Sequence, residues 1–362
     1  MDVRRQSRPT VLFMAAVGVT LERFVAPISH GLAPHDVRRI AVAGRGSIPE
    51  SLRHSFDEVY EVTPFRRATV RDVMRAGLDL ARIVRAERPR LLHLHTPYAV
   101  ALGRLVARVT GTRHLAVVQG TLFDSPDRAG RLFSLVETMS ARLTPIHVTV
   151  NADDQETYRR IAPRSQVHLA PCSGAGVDPK RLQAPEGVWR AESAPPRALV
   201  MGRLTPDKNI DLAVSAWRLA RQSVPELELR IVGSTVAGEP PWHAPEESGL
   251  STAGWVSHPG AEFASADVVL LTSLREGFPI TLVEALLAGT PVVAVDNRGT
   301  RAVAEQVWEG FGLVPPQPAA IASALLAQLR ARTVRLRPEA AGHWHQDSVV
   351  DFHVAHILKA IG

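Results

Sequence analysis

Short apolar runs alternate with longer stretches of helical period along the whole chain, which is the pattern of an α/β protein with parallel sheets. In the first half the apolar runs fall at Thr10–Val17, Ile40–Ala43, Leu91–His95, Leu115–Gln119, Ile146–Asn151 and Val167–Ala170. Helical stretches lie between them. In Val70–Glu87 the apolar positions Val70, Val73, Met74, Leu78, Ala81 and Val84 recur at helical spacing. A second series restarts at Arg197–Met201 and continues through Leu227–Val232, Asp267–Leu271, Pro291–Asp296 and Gly312–Val314. The stretch from Cys172 to Pro196, rich in Gly, Pro, Ala and charge, reads as a linker. Asp347–Ile361 reads as one last helix. The expected organisation is a Rossmann-like domain over residues 1–172, a linker over 173–196, a second Rossmann-like domain over 197–345 and a closing helix over 346–362. Two such units facing each other leave a cleft between the carboxyl ends of two sheets, where open parallel sheets bind ligands.

At 362 residues the chain is long enough for two domains that each bury a core. Its single cysteine, Cys172, excludes an intramolecular disulfide and suits a reducing cytoplasm. No cysteine and histidine cluster has the spacing of a structural zinc site. No run reaches the roughly 18 apolar residues of a membrane-spanning helix. Arg4-Arg5 followed by Val11 to Val19 has the outline of a signal peptide, but Leu21-Glu22-Arg23-Phe24 follows without a small-residue cleavage pattern, so the protein is expected to stay inside the cell.

The net charge of +6 is unevenly spread. Residues 1–180 carry 26 Lys and Arg against 17 Asp and Glu, and residues 181–362 carry 16 against 19. Within the basic half, Arg67, Arg71 and Arg75 fall at i, i+4 spacing on one face of an expected helix. That face is either simply solvated or a surface for anionic lipid, where a well-placed cation contributes about 1 kcal/mol. Nucleic acid is not an expected partner, because the segment lacks interleaved aromatics and no binding module accompanies it.

Candidate chemistry concentrates in the second half. Gly202-Arg203-Leu204-Thr205-Pro206-Asp207-Lys208-Asn209 follows an apolar run and precedes a helical stretch starting near Ile210. Arg203 and Lys208 therefore share a strand-to-helix loop, where two cations can converge on one anion. Fixed cations at a departing diphosphate favour the transition state over the ground state. The chain has three lysines in all, Lys180, Lys208 and Lys359, which makes Lys208 more informative than a lysine usually is. The second element is Glu276-Gly277-Phe278-Pro279-Ile280-Thr281-Leu282-Val283-Glu284. Pro279 suits the first helical position, and Gly277 lets backbone approach a ligand. The amides of Phe278 to Thr281 are expected to form a helix N-terminus for phosphate and hydroxyl oxygens. Glu276 sits at its mouth, and Glu284, two turns deeper in apolar surroundings, needs a partner.

Gly-Arg-Leu-x-x-x-Lys-Asn, with Glu-Gly-Phe-Pro and a second glutamate eight positions after the first, resembles the family-4 retaining glycosyltransferases of the GT-B fold. The likeness extends over nearly the full chain. His93-Leu94-His95-Thr96-Pro97 and Leu102-Gly103-Arg104-Leu105 resemble the first domain of capsule and exopolysaccharide members, Gly176-Val177-Asp178 the start of the family's linker, and Gly254-Trp255-Val256 the strand that contacts the base. The resemblance implies that Arg203 and Lys208 bind the donor diphosphate, Glu284 holds the ribose hydroxyls and Glu276 contacts the transferred sugar. It implies that the backbone of Gly277 to Thr281 covers sugar and phosphate, that Val256 meets the base, and that Gly18 lies beside the diphosphate from the other domain. It also implies a nucleotide-sugar donor with UDP favoured, a glycan or lipid-linked acceptor, no metal or other cofactor, retention of configuration, and a closing helix packed back on the first domain.

One position departs from the family. Where members carry a histidine before Gly-Thr or Gly-Phe, this chain reads Val118-Gln119-Gly120-Thr121. Gln119 can donate a hydrogen bond but cannot titrate, so it is expected to orient the donor sugar without proton transfer. His93 and His95 are assigned opposite faces of their strand, with His95, nearer the carboxyl end, the candidate for an acceptor-side role beside a purely structural reading. Arg298-Gly299-Thr300-Arg301 is expected to support the helix behind the site. A nicotinamide-dependent oxidoreductase would need a Gly-x-Gly-x-x-Gly turn, which Ala16-Val17-Gly18-Val19-Thr20 does not supply. A sugar-nucleotide epimerase of the same shape and an inactive nucleotide-sugar-binding protein stay open as alternatives.

Overall fold

The computed structural model describes residues 8–66, 68–121, 123, 128–172, 174–183, 194–235, 240–256 and 258–362. The chain forms two compact units, Met1–Gly176 with Gln346–Gly362, and Val177–His345.

The first unit is built on a parallel sheet of seven strands, β1 (Thr10–Met14), β2 (Arg38–Gly44), β3 (Glu58–Val62), β4 (Leu91–His95), β5 (His114–Val118), β6 (Ile146–Thr149) and β7 (Gln166–Leu169), in the order β3-β2-β1-β4-β5-β6-β7. Its central strands β1, β4 and β5 are buried along their whole length, because helices cover both faces, and this is why they read as largely apolar runs. The edge strand β3, Glu-Val-Tyr-Glu-Val, is half-buried over all but its last residue, and its two glutamates leave no apolar run to mark it. The helices of this unit are α1 (Gly18–Thr20), which passes through a π-helical turn at Leu21–Val25 into α2 (Ala26–Leu32), then α3 (Val70–Glu87), α4 (Pro97–Thr110), α5 (Arg128–Ser140) and α6 (Ala152–Ile161). Helix α3 buries Ala76, Leu80, Ala81 and Val84, while Val70, Met74 and Leu78 of the expected apolar set point outward. The smaller face, carrying two alanines, is the one that packs. Arg71 and Arg75 are exposed, and Arg67 lies outside the described residues.

A buried polar network fixes α5 to α4. The Arg104 guanidinium donates to both Glu137 carboxylate oxygens at 2.7 and 2.8 Å and to the Thr144 hydroxyl at 2.7 Å, and the Tyr158 hydroxyl donates to Glu137 at 2.6 Å. Burial pushes the Glu137 carboxyl up, but the Arg104 guanidinium outweighs it and holds the group below the usual carboxylate range. Removing one member of a buried pair leaves the other charge uncompensated. Glu137→Ala is therefore expected to destabilise the first unit by about 3–5 kcal/mol. A urea midpoint equal to that of the wild type would refute this.

The second unit holds a parallel six-stranded sheet of β8 (Arg197–Met201), β9 (Glu228–Val232), β10 (Leu250–Ala253), β11 (Val268–Leu271), β12 (Val292–Val295) and β14 (Phe311–Val314), in the order β10-β9-β8-β11-β12-β14. Strands β13 (Val307–Glu309) and β15 (Arg335–Leu336) form a separate antiparallel pair. The helices are α7 (Ile210–Arg221), α8 (Pro259–Ala264), α9 (Ile280–Leu287), α10 (Arg298–Ala304), α11 (Pro318–Ala331) and α12 (Ala340–Trp344).

The last helix, α13 (Gln346–Ile361), starts one residue before the expected Asp347 and belongs to the first unit. Val354, Ile357 and Ile361 join Ile28 and Leu32 of α2 in one core. Arg90 and Arg113 donate to the carbonyls of Ile361 and Ala360 at 3.0 and 2.9 Å, satisfying acceptors that a helix end leaves open. The boundary between units corrects the expected linker at its first end. Val177 already pairs with His345 and donates its N–H to Trp344 at 2.8 Å, so the second unit begins there. Ser173 and residues 184–193 of the expected linker lie outside the described residues. Among the described residues no helix is long and apolar enough to cross a membrane.

Candidate functional site

Open parallel sheets gather ligands where the strand order reverses, beyond the carboxyl ends of the strands. In the second sheet that point lies between the neighbours β8 and β11. The loop after β8 carries Arg203 and Lys208, and the loop after β11 carries Glu276, so the topology brings the two sequence motifs together. Backbone and side chain lock the loops to each other. The Leu274 N–H donates to Asp207 O at 2.8 Å, and the Thr272 hydroxyl donates to the carbonyls of Lys208 and Asn209 at 3.1 and 2.9 Å.

Lys208 Nζ stands 2.5 Å from Glu276 Oε1, with side chains only 16% and 12% exposed. The two groups were given separate roles by the sequence; here each neutralises the other. Arg203 is half-exposed, and its guanidinium is 3.7 Å from Asp207. Burial pushes the Asp207 carboxyl up, but the neighbouring Thr205 hydroxyl and the Arg203 and Lys208 charges outweigh it, leaving Asp207 below the usual carboxylate range. The loop pair is thus a dense cluster of two cations and two carboxylates.

Helix α9 begins at Ile280, one position after the expected start, with Pro279 as its N-cap instead of its first helical residue. The first helical bonds run from Leu282 and Val283 to Pro279 O, so the N–H groups of Ile280 and Thr281 precede the ladder. Pro279 has no N–H, which removes it from the expected set of amide donors. Gly277 is half-buried, Phe278 and Pro279 are buried, and Glu284 is buried within the helix. Val256 is half-buried in the loop beyond β10, so Gly254-Trp255-Val256 follows the strand instead of forming it.

Two contributions were not read as site features. A Cβ on Gly299 would lie 2.7 Å from the Glu276 carbonyl carbon and oxygen, so only glycine lets α10 approach that backbone. The expected support for the helix behind the site is thus directed at Glu276. Asn297, which caps α10, also donates to Ser273 O at 3.2 Å and ties the same loop down.

In the first sheet the order reverses between β1 and β4. Gly18 follows β1, and its N–H donates to Ser47 Oγ at 3.0 Å; a Cβ there would lie 2.1 Å from Ser47 O. Packing alone accounts for this glycine. His93 and His95 share one face of β4, as positions i and i+2 on a strand must, which corrects the opposite-face assignment. Their Nδ1 and Nε2 atoms are 2.7 Å apart, and both rings are fully buried, with the His353 ring of α13 at 5.3 Å from that of His93. Burial pulls His95 down to about 3. His95 is therefore a neutral core residue here, not an open acceptor contact. Gln119, just past β5, is half-buried and lines a cavity of about 10 Å³ with Gly120, Pro97 and Tyr158, room for about one water. Among the described residues no group of three His, Cys, Asp or Glu side chains is arranged to hold a metal.

Residues 21–181 match the family model described as Glycosyltransferase Family 4, and residues 195–331 match the one described as Glycosyl transferases group 1. EpsD of Bacillus subtilis, assigned as a glycosyltransferase, is 26% identical over 242 residues, which is 61% of this chain and 62% of EpsD. The chain thus spans less than two thirds of that relative's length. The UDP-Gal:alpha-D-GlcNAc-diphosphoundecaprenol alpha-1,3-galactosyltransferase of Escherichia coli is 22% identical over 295 residues, 74% of this chain and 73% of that protein. The structure of Anabaena HepE in complex with UDP and glucose superposes with a TM-score of 0.73 over 98% of this chain and 100% of that one, at 16% identity.

Proposed function

Because the chain belongs to the family-4 glycosyltransferases of the GT-B fold, we propose that it moves a sugar from a nucleoside-diphosphate donor to a glycan or lipid-linked acceptor with retention of configuration. The observation that carries this reading is the meeting of Arg203, Lys208 and Glu276 at the switch point of the second sheet, beside the N-terminus of α9. In the reaction the bond from the anomeric carbon to the diphosphate breaks, and an acceptor hydroxyl oxygen forms the new bond from the same face. The hydroxyl proton passes to the departing phosphate. Charge grows on that phosphate, and Arg203, Lys208 and the amides of Ile280 and Thr281 face it, so no divalent metal is called for. Lys208 exchanges its carboxylate partner for the diphosphate, which frees Glu276 to accept from a sugar hydroxyl. Glu284 takes the ribose hydroxyls, Val256 the base, and Gln119 orients the sugar without titrating.

Uridine is the base we propose, supported by the UDP named for HepE and for the Escherichia coli galactosyltransferase. The diphosphoundecaprenol acceptor of the latter supports a lipid-linked acceptor here, and with it work at the inner face of a membrane. Incubating the protein with a panel of nucleotide sugars tests the reading. Nucleotide release that rises with acceptor is expected. Donor isomerisation, or thermal stabilisation by donor with no release under any acceptor, would refute transfer.

A further inference from the structure

Helices α3, α4 and α5 lie side by side as one layer of the first unit, α3 against α4 and α4 clamped to α5 through Arg104 and Glu137. Of the nineteen large apolar side chains that the described residues expose, twelve lie on this layer and its short extension through Leu143. Their spacing makes them outward stripes. On α3, Val70, Met74 and Leu78 recur every four positions, 79%, 65% and 56% exposed. On α4, Leu105 and Val109 do the same. On α5, Leu132, Leu135, Val136 and Met139 follow the same helical period. Globular proteins seldom leave so many large apolar groups together in water.

The charges on this layer have one sign. Every exposed charged side chain among the described residues of 70–87, 97–110 and 128–143 is an arginine, eight in all. The four acidic residues of these segments are half-buried or buried, with Asp72 and Asp79 beside Arg75 and Arg82 and Glu137 inside the Arg104 network. An apolar surface studded only with guanidiniums is complementary to a partner that is both apolar and anionic. A bilayer containing acidic phospholipid has both properties: apolar side chains enter the acyl boundary while arginines meet the headgroup phosphates. We propose that the outward face of α3, α4 and α5 docks this protein on an anionic membrane surface.

Docking is read as binding, without donor or turnover, so its failure and the failure of sugar transfer are told apart. The purified full chain is expected to sediment with vesicles of phosphatidylcholine and phosphatidylglycerol, to leave vesicles of pure phosphatidylcholine in the supernatant, and to release as salt rises. The triple variant Met74→Ser, Leu105→Ser, Leu135→Ser should lose more than about tenfold in vesicle affinity with an unchanged circular dichroism spectrum. Arg71→Ala and Arg75→Ala should each cost about fivefold, on anionic vesicles only. Leu169→Ser, an exposed position off this layer, should change nothing. A wild-type chain that ignores anionic vesicles would overturn the proposal, as would a triple variant that binds like the wild type. A solution dimer that the triple substitution dissociates would assign the face to a second copy and overturn it equally.

Discussion

Turnover should fall more than about tenfold in Arg203→Ala and further in Lys208→Ala, with both chains still folded. The two differ because their surroundings differ. Arg203 is half-exposed and its ion pair with Asp207 is loose at 3.7 Å, so truncating it leaves the loop in place and removes the charge proposed to meet the leaving group. Lys208 is enclosed with Glu276, so its removal also leaves a poorly solvated carboxylate without its cation, free to turn away from the sugar. The two residues therefore act as one unit. Lys208→Ala combined with Glu276→Ala should cost less than the product of the single losses, the mark of groups in direct contact. Nucleotide release measured beside thermal midpoints decides this. Near wild-type turnover in both single variants would remove the switch-point loops from the chemistry.

Acid should unfold the first unit well before its carboxylates titrate. His93, His95, His114, His147 and His353 are all buried there. Burial holds His95 and His353 at about 3 and His114 and His147 at about 4, and pulls His93 well below its ordinary value. In the unfolded chain the same imidazoles take a proton near 6.5. Above that value both states are neutral and these groups add no pH dependence. Below it only the unfolded chain binds protons, so stability falls with pH until the folded values are reached. The slope approaches about 1.4 kcal/mol per pH unit for each histidine. Thermal midpoints taken downward from neutrality should drop steeply, and His353→Leu should remove its share of the slope. Midpoints that stay level to about pH 5 would show that these rings are not neutral core groups.

The sequence carried the two-sheet plan because central strands of a covered parallel sheet are apolar on both faces. Strand β3 escaped because an edge strand meets water on one side, and its Glu58 and Glu61 break the run. The apolar set on α3 was legible as helix but not as a side, since the residues that pack, Ala76 and Ala81 among them, are less hydrophobic than Met74 and Leu78, which face out. Both motifs of the second unit were readable as loops, because strand, glycine and helix signals flank them. Their pairing was not. Lys208 and Glu276 are 68 positions apart, and only the adjacency of β8 and β11 joins them. Gly299 belongs to the same class, a long-range steric requirement with no local signature. The exchange of faces at His93 and His95 has a simpler cause, a period of two read as a period of one.

Since α13 completes the core that α2 and β1 begin, order of synthesis and order of completion run opposite ways. The stretch from Val177 to His345 is continuous and its two ends are held side by side, so its fold needs no residue beyond His345. The half made first must wait for α13. Until then it bares the apolar seat that Val354, Ile357 and Ile361 will fill, and a nascent chain stalled before that point would be a client for chaperones.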